Sequence, residues 1–354
     1  MRVLAYTAIV ATISASAMAA PELAPRYRDV ENRDLSTLYA TAQKETGTLQ
    51  VAWGGDEKTQ ASGIVQAFQA AFPLIKVNFT VDLSKYHDGR INNQFQDGDF
   101  YADVAVLQTL QGFDNWKAKG WLQNYKPASF DKLFPEFTDR NGAYLPYFGG
   151  QCYLTASVPT QDIPTSYADV LDPKWKGKLV LTYPNDDDAV LYSWTLIVQK
   201  YGWDWVRKLA QQDVQWVRGT ATPASVINGS TTRTLTFTSF PLGADWSFVA
   251  PKSDRYMSWF QTSAILKNTK MPDTARLLQS FLVSDDWQRG LAAAGTSSAR
   301  SDFTNRTSGF GLSNTDYTSF RPFMRQRDLV EGWRFQFEDI LGTAQGLSPL
   351  LDTL

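Results

Sequence analysis

The sequence predicts an α/β protein of two lobes, each a mostly parallel sheet flanked by helices, with a ligand cleft between the lobes. In the first half, strands and helices alternate in the order of half a doubly wound sheet. A similar order returns after residue 177. Two segments, 147–155 and 236–245, are the expected crossings between the halves. Two similar halves joined by two crossings indicate two lobes.

Each element follows from the spacing of apolar residues and from residues that begin or end helices. In the first half the predicted elements are a helix at 36–45, a strand at 48–53, a helix at 57–72, a strand at 75–81, a helix at 86–95 and a strand at 102–107. In the second half they are a strand at 178–183, helices at 186–200 and 203–211, and strands at 214–217 and 234–238. Thr222 is the expected N-cap of a further helix with Pro223 at its first position, and a last helix is predicted at 330–341.

This order of elements predicts the domain division. Residues 1–20 form a signal peptide, 21–47 a leader with the first helix, 48–150 plus 246–300 lobe 1, 151–245 lobe 2, and 301–354 a C-terminal helical extension. The signal peptide has a lone Arg2, an apolar run, and the small residues Ala17-Met18-Ala19, so cleavage is expected near Ala19 or Ala20. No later stretch is apolar for about 18 residues, so we expect a secreted, extracellular or periplasmic protein that does not span a membrane.

Composition excludes several function classes. The 34 basic and 36 acidic residues nearly balance and no basic cluster stands out, so nucleic-acid binding is not expected. The single Cys152 cannot form an intramolecular disulfide and is expected to be buried in a strand. The single His87, expected at a surface helix start, leaves little from which to build a zinc site or a catalytic triad. We therefore expect neither a cofactor nor an enzyme.

Two further features bear on the state of the mature protein. Neither half shows a coiled-coil seam or an unused apolar helix face, so a monomer is expected. Sequons at Asn78, Asn228 and Asn305 favour a glycoprotein only weakly, which leaves both a bacterial and a eukaryotic host open.

Several short segments resemble a known family in their order and spacing. The segment Trp175-Lys176-Gly177-Lys178 is followed by Val217-Arg218-Gly219-Thr220, and other matching segments are 44–51, 68–73, 75–77, 264–267, 272–282 and 288–292. Together they are similar to the extracellular solute-binding proteins of bacterial ABC importers, the class II periplasmic binding proteins, nearest to the ferric iron and thiamine group. The resemblance implies a binding protein that closes by a hinge on a small molecule or metal ion. If the host is bacterial, it implies the membrane subunits of an importer as partner.

The candidate ligand-binding residues lie in turns that follow predicted strands, where open α/β sheets place their ligands. They are Trp53, Gly54, Gly55 and Asp56, then Gln108 and Thr109, then Asn185, Asp186, Asp187 and Asp188, then Arg218 and Thr220, with Trp246 and Tyr256 near the second crossing.

The three consecutive aspartates indicate the sign of the ligand. Carboxylates at a helix N-terminus use up its positive potential and repel an anion, so a cation is expected. The candidates are a thiamine-like organic cation, held over a ring such as that of Trp53 or Trp246, and a hard metal ion. The ferric-binding branch of the resembled family uses adjacent tyrosines as metal ligands. This chain has no such pair, so ferric iron is a less favoured ligand. The opposing interpretation is that the aspartates only cap the helix.

Two other functions remain open at this point. A secreted hydrolase can work with paired Asp and Glu carboxylates on the same scaffold. An interaction protein whose cleft is blocked by side chains would bind no ligand at all.

Overall fold

The fold is described from a computed structural model of the chain. The described residues are 30–152, 154–238, 246–294, 296–303, 312–348 and 350–351. The predicted signal peptide, most of the leader, the sequon at Asn305 and part of the second crossing lie outside these ranges.

Helices and strands alternate through most of the described chain. The helices are α1 Leu35–Ala42, α2 Ser62–Ala71, α3 Ser84–Asp97, α4 Leu110–Ala118, α5 Asp188–Tyr201, α6 Trp203–Ala210, α7 Thr222–Asn228, α8 Pro272–Leu282, α9 Asp285–Ala293, α10 Phe320–Arg325 and α11 Arg327–Leu341. The strands are β1 Leu49–Gly54, β2 Val77–Asp82, β3 Val104–Leu107, β4 Leu145–Cys152, β5 Leu154–Ala156, β6 Val180–Thr182, β7 Gln215–Val217, β8 Leu235–Thr236, β9 Ser247–Val249, β10 Met257–Ile265 and β11 Ser297–Ser298.

The first lobe is built on a six-stranded sheet in the order β11-β4-β10-β3-β1-β2. Strand β1 pairs in parallel with β2 and β3, as the sequence predicts. Helices cover both faces of parallel strands, which is why β1 and β3 are almost wholly apolar and buried. Side chains of β1, among them Leu49 and Val51, form one core with Phe68 of α2 and Leu278 of α8.

The sheet is mixed rather than mostly parallel, because the long strands β4 and β10 run antiparallel to each other and β10 runs antiparallel to β3. These two strands carry the chain out of the first lobe and back into it. All nine residues of β10 are buried. The described part of β4 reaches Cys152, and β5 begins at Leu154.

The second lobe has two smaller sheets, β8-β5-β9 and the parallel pair β6-β7. A bridge between Leu179 and Leu235 joins them. Since β9 pairs with β5, the chain is still in the second lobe at Val249 and enters β10 only at Met257, later than the predicted return at residue 246.

The C-terminal extension packs on both lobes. Phe320, Phe323 and Phe337 join the core formed by α5 and α6 of the second lobe. From the same extension, Arg325 donates a hydrogen bond at 2.8 Å to Asp114 of α4 in the first lobe. None of the helices in the described ranges has the length and apolar character that a membrane crossing requires.

Most predicted elements are confirmed with shifted ends, and the shifts have local causes. Helix α2 starts at Ser62 and not at 57, because Gln60 Oε1 accepts hydrogen bonds from the backbone N of Asp56 and Glu57 and holds this stretch in a turn. Thr222 is the first residue of α7 and not its N-cap, since the cap position is Ala221. Helix α4 and strand β10 were not predicted from the sequence.

Candidate functional site

The four predicted turns meet at one cavity between the lobes. Its volume is about 20 Å³, enough for an occupant of about the size of a water molecule. Six predicted residues line it: Gly54, Gly55, Asp56, Gln108, Asp187 and Thr220. The remaining lining comes from Gln60, Leu83, Ser84, Phe148, Trp259 and Gln261, which the sequence reasoning missed.

Asp56 reaches from the first lobe to the start of α7 in the second lobe. Its Oδ2 accepts hydrogen bonds from Thr222 N at 2.7 Å, Thr222 Oγ1 at 2.8 Å and Ala221 N at 2.9 Å. These donors are the unpaired groups of a helix start, so a carboxylate from the other lobe caps α7. Burial of the carboxyl group raises the pKa of Asp56 to about 6, although the hydrogen bonds act in the opposite direction.

The close approach of the lobes at this point depends on Gly219. Its φ of +72° lies in the left-handed region that favours glycine. A Cβ atom at Gly219 would also lie 2.0 Å from Asp56 Cβ. A side chain at this position would therefore separate Asp56 from α7.

Asp187 is the second carboxylate of the cavity and also the N-cap of α5. Its Oδ1 accepts hydrogen bonds from Ala189 N at 2.9 Å and Val190 N at 3.0 Å. Its Oδ2 accepts one from Gln108 Nε2 of the first lobe at 2.6 Å. Burial raises the pKa of Asp187 to about 6, and the neighbouring carboxylates Asp188 and Asp186 add to the rise. Asp187 therefore caps α5 and also lines the cavity.

The other two aspartates are neutralised by basic side chains and do not line the cavity. Asp186 pairs with Lys85 of the first lobe at 2.5 Å and with Arg218 at 2.9 Å. Burial alone would raise the pKa of Asp186, but these two partners lower it. Asp188 forms an ion pair with Arg334 of α11. Of the three aspartates that the sequence offers as ligand contacts, Asp187 lines the cavity, whereas Asp186 and Asp188 do not.

Arg218 binds three parts of the molecule at the rim of the cleft. Beside its pair with Asp186, it donates to Tyr86 Oη of the first lobe at 2.7 Å and to the carbonyl oxygen of Gly346 in the C-terminal extension at 2.9 Å. Asn185 lies nearby and donates to the carbonyl oxygen of Gly342 at 3.1 Å. Both predicted residues hold the second lobe to its neighbours and lie outside the cavity lining.

Four other predicted site residues lie outside the cavity lining. Trp53 is buried and packs against Phe79 and Tyr147 in the core of the first lobe. Trp246 packs on Val180 in the second lobe and donates its indole N–H to Asn228. Tyr256 and Thr109 are also buried. Neither predicted tryptophan offers a ring face to a ligand in this conformation.

His87 and Cys152 are structural. His87 is fully buried, not on the surface as expected, because its ring nitrogens contact the carbonyl oxygen of Trp53 at 2.9 Å and Tyr101 Oη at 2.6 Å. Burial lowers the pKa of His87 to about 4, so the ring is neutral at physiological pH. Cys152 is buried as expected, and burial raises the pKa of its thiol far above the usual range. In the described residues no three His, Cys, Asp or Glu side chains form a group suited to a metal ion.

Comparison with known proteins adds the family context. Residues 101–309 match the profile of a family described as bacterial extracellular solute-binding protein. A search of curated protein sequences gives no match.

Solved structures with the same architecture have little sequence in common with this chain. The substrate-binding protein of an ABC transporter from Agrobacterium tumefaciens has a TM-score of 0.70 at 14% identity, covering 85% of this chain and 96% of that one. AfuA from Actinobacillus pleuropneumoniae, with fructose 6-phosphate bound, has a TM-score of 0.65 at 18% identity, with coverages of 84% and 100%. Iron-bound HitA from Pseudomonas aeruginosa has a TM-score of 0.59 at 15% identity, with coverages of 82% and 99%. At such identities the likeness extends to the fold alone.

Proposed function

This chain belongs to the bacterial extracellular solute-binding protein family, and from that membership we propose that its cleft binds a small cationic solute between Asp56 and Asp187. The observation that carries the proposed charge is that both carboxylates face one small cavity. Neither forms an ion pair with a lysine or arginine among the described residues. A positive ligand would supply the missing charge.

The electrostatics of the cavity support this sign. Burial disfavours the charged form of both carboxylates and raises the pKa of each to about 6, and the charge of Asp187 adds to the rise at Asp56. An anion would add a third negative charge to the same small volume. A cation would instead interact favourably with both carboxylates in a poorly solvated site.

The other polar groups of the cavity suit a cation that prefers oxygen. Ser84 and Thr220 supply hydroxyl oxygens, and the side-chain amides of Gln108 and Gln261 supply carbonyl oxygens. A hard metal ion, or the charged group of an organic cation, would fit this set. With a cavity of only about 20 Å³, a ring as large as that of thiamine requires the lobes to stand further apart.

Hinge closure would couple binding to the position of the lobes. Asp56 and Gln108 belong to the first lobe, whereas Asp187 and Thr220 belong to the second. A ligand that contacts both sets binds the closed form better than the open form, so it shifts the population towards closure. The direct contacts Lys85 with Asp186 and Tyr86 with Arg218 would form in the same movement.

The family description implies a secreted or periplasmic location. We further propose cleavage of the signal peptide near Ala19 or Ala20, a monomeric state, and delivery of the solute to the membrane subunits of an ABC importer in a bacterial host. Glycosylation at the sequons stays a prediction. The hydrolase alternative is not supported, because the matched family is one of binding proteins.

Calorimetric titration of the full chain tests the sign of the ligand, with Ca²⁺ and thiamine as the two cationic probes and inorganic phosphate as the anionic one. We expect saturable binding of a cation, and a loss of about 2–5 kcal/mol in Asp56→Asn, which keeps one acceptor oxygen but removes the charge. Asp204→Asn, at an exposed carboxylate of α6 that pairs with Arg207 on the same helix, is the matched control and should bind as the unmodified protein does. Binding of phosphate that Asp56→Asn alters, without binding of either cation, would show that the assigned charge is wrong.

A further inference from the structure

Arg321 of α10 is a buried guanidinium whose hydrogen bonds are incomplete. Its side chain is 8% exposed. Nη1 donates to Tyr144 Oη at 2.8 Å, and the guanidinium lies over the ring of Tyr144 at 4.7 Å from its centroid. Its Nε and Nη2 atoms are buried and have no hydrogen-bond partner among the described residues. Buried charged donors without acceptors are rare, and each calls for an explanation such as a bound water or ion.

The charge of Arg321 is only partly compensated. Its nearest carboxylate oxygen is Asp114 Oδ1 at 3.9 Å, too far for a hydrogen bond. Asp114 already accepts from Tyr144 Oη at 2.8 Å and from Arg325 Nε at 2.8 Å. The carboxylate of Asp114 is therefore shared between the guanidinium groups of Arg321 and Arg325.

Arg321 lines a second cavity, separate from the cleft. This cavity has a volume of about 260 Å³ and lies between α10 and the segment that precedes β4. Arg140 and Arg325 also line it, with hydroxyl groups from Thr138 and Thr318. Of its two acidic neighbours, Asp139 is paired with Lys117, which leaves Glu136 as the acid without an ion pair among the described residues.

We propose that this cavity binds a small oxyanion, a phosphate or carboxylate group, and that a shift of the Arg321 side chain turns its covered Nε and Nη2 atoms towards the ion. These two nitrogens form the fork that suits a bidentate oxyanion. Arg140 and Arg325 contribute positive charge at the rim. An anion here joins the C-terminal extension to the first lobe just before the chain crosses to the second.

Calorimetric titrations with inorganic phosphate and with citrate, at constant ionic strength in chloride, test the proposal and separate the two kinds of oxyanion. We expect saturable binding of at least one of them to the full-length protein. Arg321→Met should weaken it by about tenfold or more, the loss of charge-assisted hydrogen bonds. Arg140→Ala, which changes an exposed residue and spares the core, should weaken it by about threefold.

Two controls keep this result independent of the cleft. Arg207→Ala removes an exposed arginine of α6 and should leave oxyanion binding unchanged. Asp56→Asn alters the cleft and should also leave it unchanged, so failure of the cation proposal would not affect this one. The absence of saturable binding by either oxyanion, or binding that both Arg321→Met and Arg140→Ala leave intact, would overturn the assignment.

Discussion

At the scale of single residues, Gly219 decides how closely the lobes can meet. Its positive φ is one demand for glycine, and the second is that a Cβ atom at this position would lie only 2.0 Å from Asp56 Cβ. Replacement by alanine should therefore have two effects. The strained backbone should lower the free energy of unfolding by about 1 kcal/mol, and displacement of Asp56 should open the cleft.

Gly202 provides the control for this prediction. Its φ of +74° and ψ of 174° also favour glycine, but a Cβ there would meet no atom within 4 Å. Denaturant unfolding should show a loss of stability for both Gly219→Ala and Gly202→Ala. Small-angle scattering should show a larger radius of gyration for Gly219→Ala only. Equal radii in the two variants would mean that the contact between Asp56 and α7 does not hold the lobes together.

The residues of the cavity also show what sequence reasoning can reach. The turns that follow the strands are predicted to lie together, because the carboxyl ends of parallel strands share one edge of a sheet. That rule predicts Asp56, Gln108 and Asp187, and the structure brings all three to one cavity. It could not find the partners of Asp186, because Lys85 lies 101 residues away and the pairing depends on how the lobes meet.

At the scale of elements, an ion pair with a side chain of α11 stabilises the start of α5. Asp188, whose side chain is 3% exposed, pairs with Arg334, whose side chain is 18% exposed. Arg334→Gln would leave this carboxylate buried without its partner. We expect the free energy of unfolding to fall by about 3 kcal/mol, at the low end for a broken buried ion pair because Arg334 keeps some contact with water.

Two further variants check that the loss comes from this pair. Asp188→Asn in the Arg334→Gln background should recover most of the stability, since the unpaired charge is gone. Arg327→Gln, which breaks an exposed pair with Glu331 on α11, should cost about 0.5 kcal/mol or less. Denaturant unfolding measures all three. A double variant no more stable than Arg334→Gln alone would contradict this account of α11.

Elements were predictable where their apolar pattern is distinctive. The helix at 188–201 and the strands β1 to β3 have clear periods and clear ends, and the structure confirms them. Strand β10 was missed because all nine of its residues are buried, so no alternation marks it as a strand. For the same reason the sequence could not show that Trp259 and Gln261 of β10 face the cavity.

At the scale of the whole molecule, the two lobes share a set of acidic groups that resist ionisation. Burial raises the pKa of Asp56, Asp88 and Asp187 to about 6, and Asp88 of the first lobe is also affected by Asp188 of the second. Since these values lie above the ordinary Asp value of 3.8, the folded protein binds more protons than the unfolded chain between about pH 4 and pH 6. Their contribution to the free energy of unfolding therefore falls as pH rises through this window.

His87 contributes with the opposite sign. Its folded pKa of about 4 lies below the ordinary value of 6.5, so its contribution to stability is lost as pH falls from about 6.5 to about 4. Unfolding of Asp56→Asn as a function of pH should isolate the carboxylate effect. We expect a smaller fall of stability between pH 4 and pH 6 in this variant than in the unmodified protein. An unchanged profile would mean that Asp56 titrates normally.

The affinity for a cation should rise with pH, whereas the contribution of the carboxylates to the free energy of unfolding falls with pH. The proposed ligand requires ionised Asp56 and Asp187, so below about pH 6 each bound cation must displace protons. Affinity for the cationic probe that binds, Ca²⁺ or thiamine, should rise from pH 5 to pH 7 and then level off, with a slope of up to about tenfold per pH unit for each proton released. Asp187→Asn should reduce that slope because only one carboxylate remains to titrate. Calorimetry in buffers of different ionisation enthalpy counts the released protons directly. An affinity for this cation that falls with rising pH would mean that ionised Asp56 and Asp187 do not hold it, and would contradict the proposed sign of the ligand.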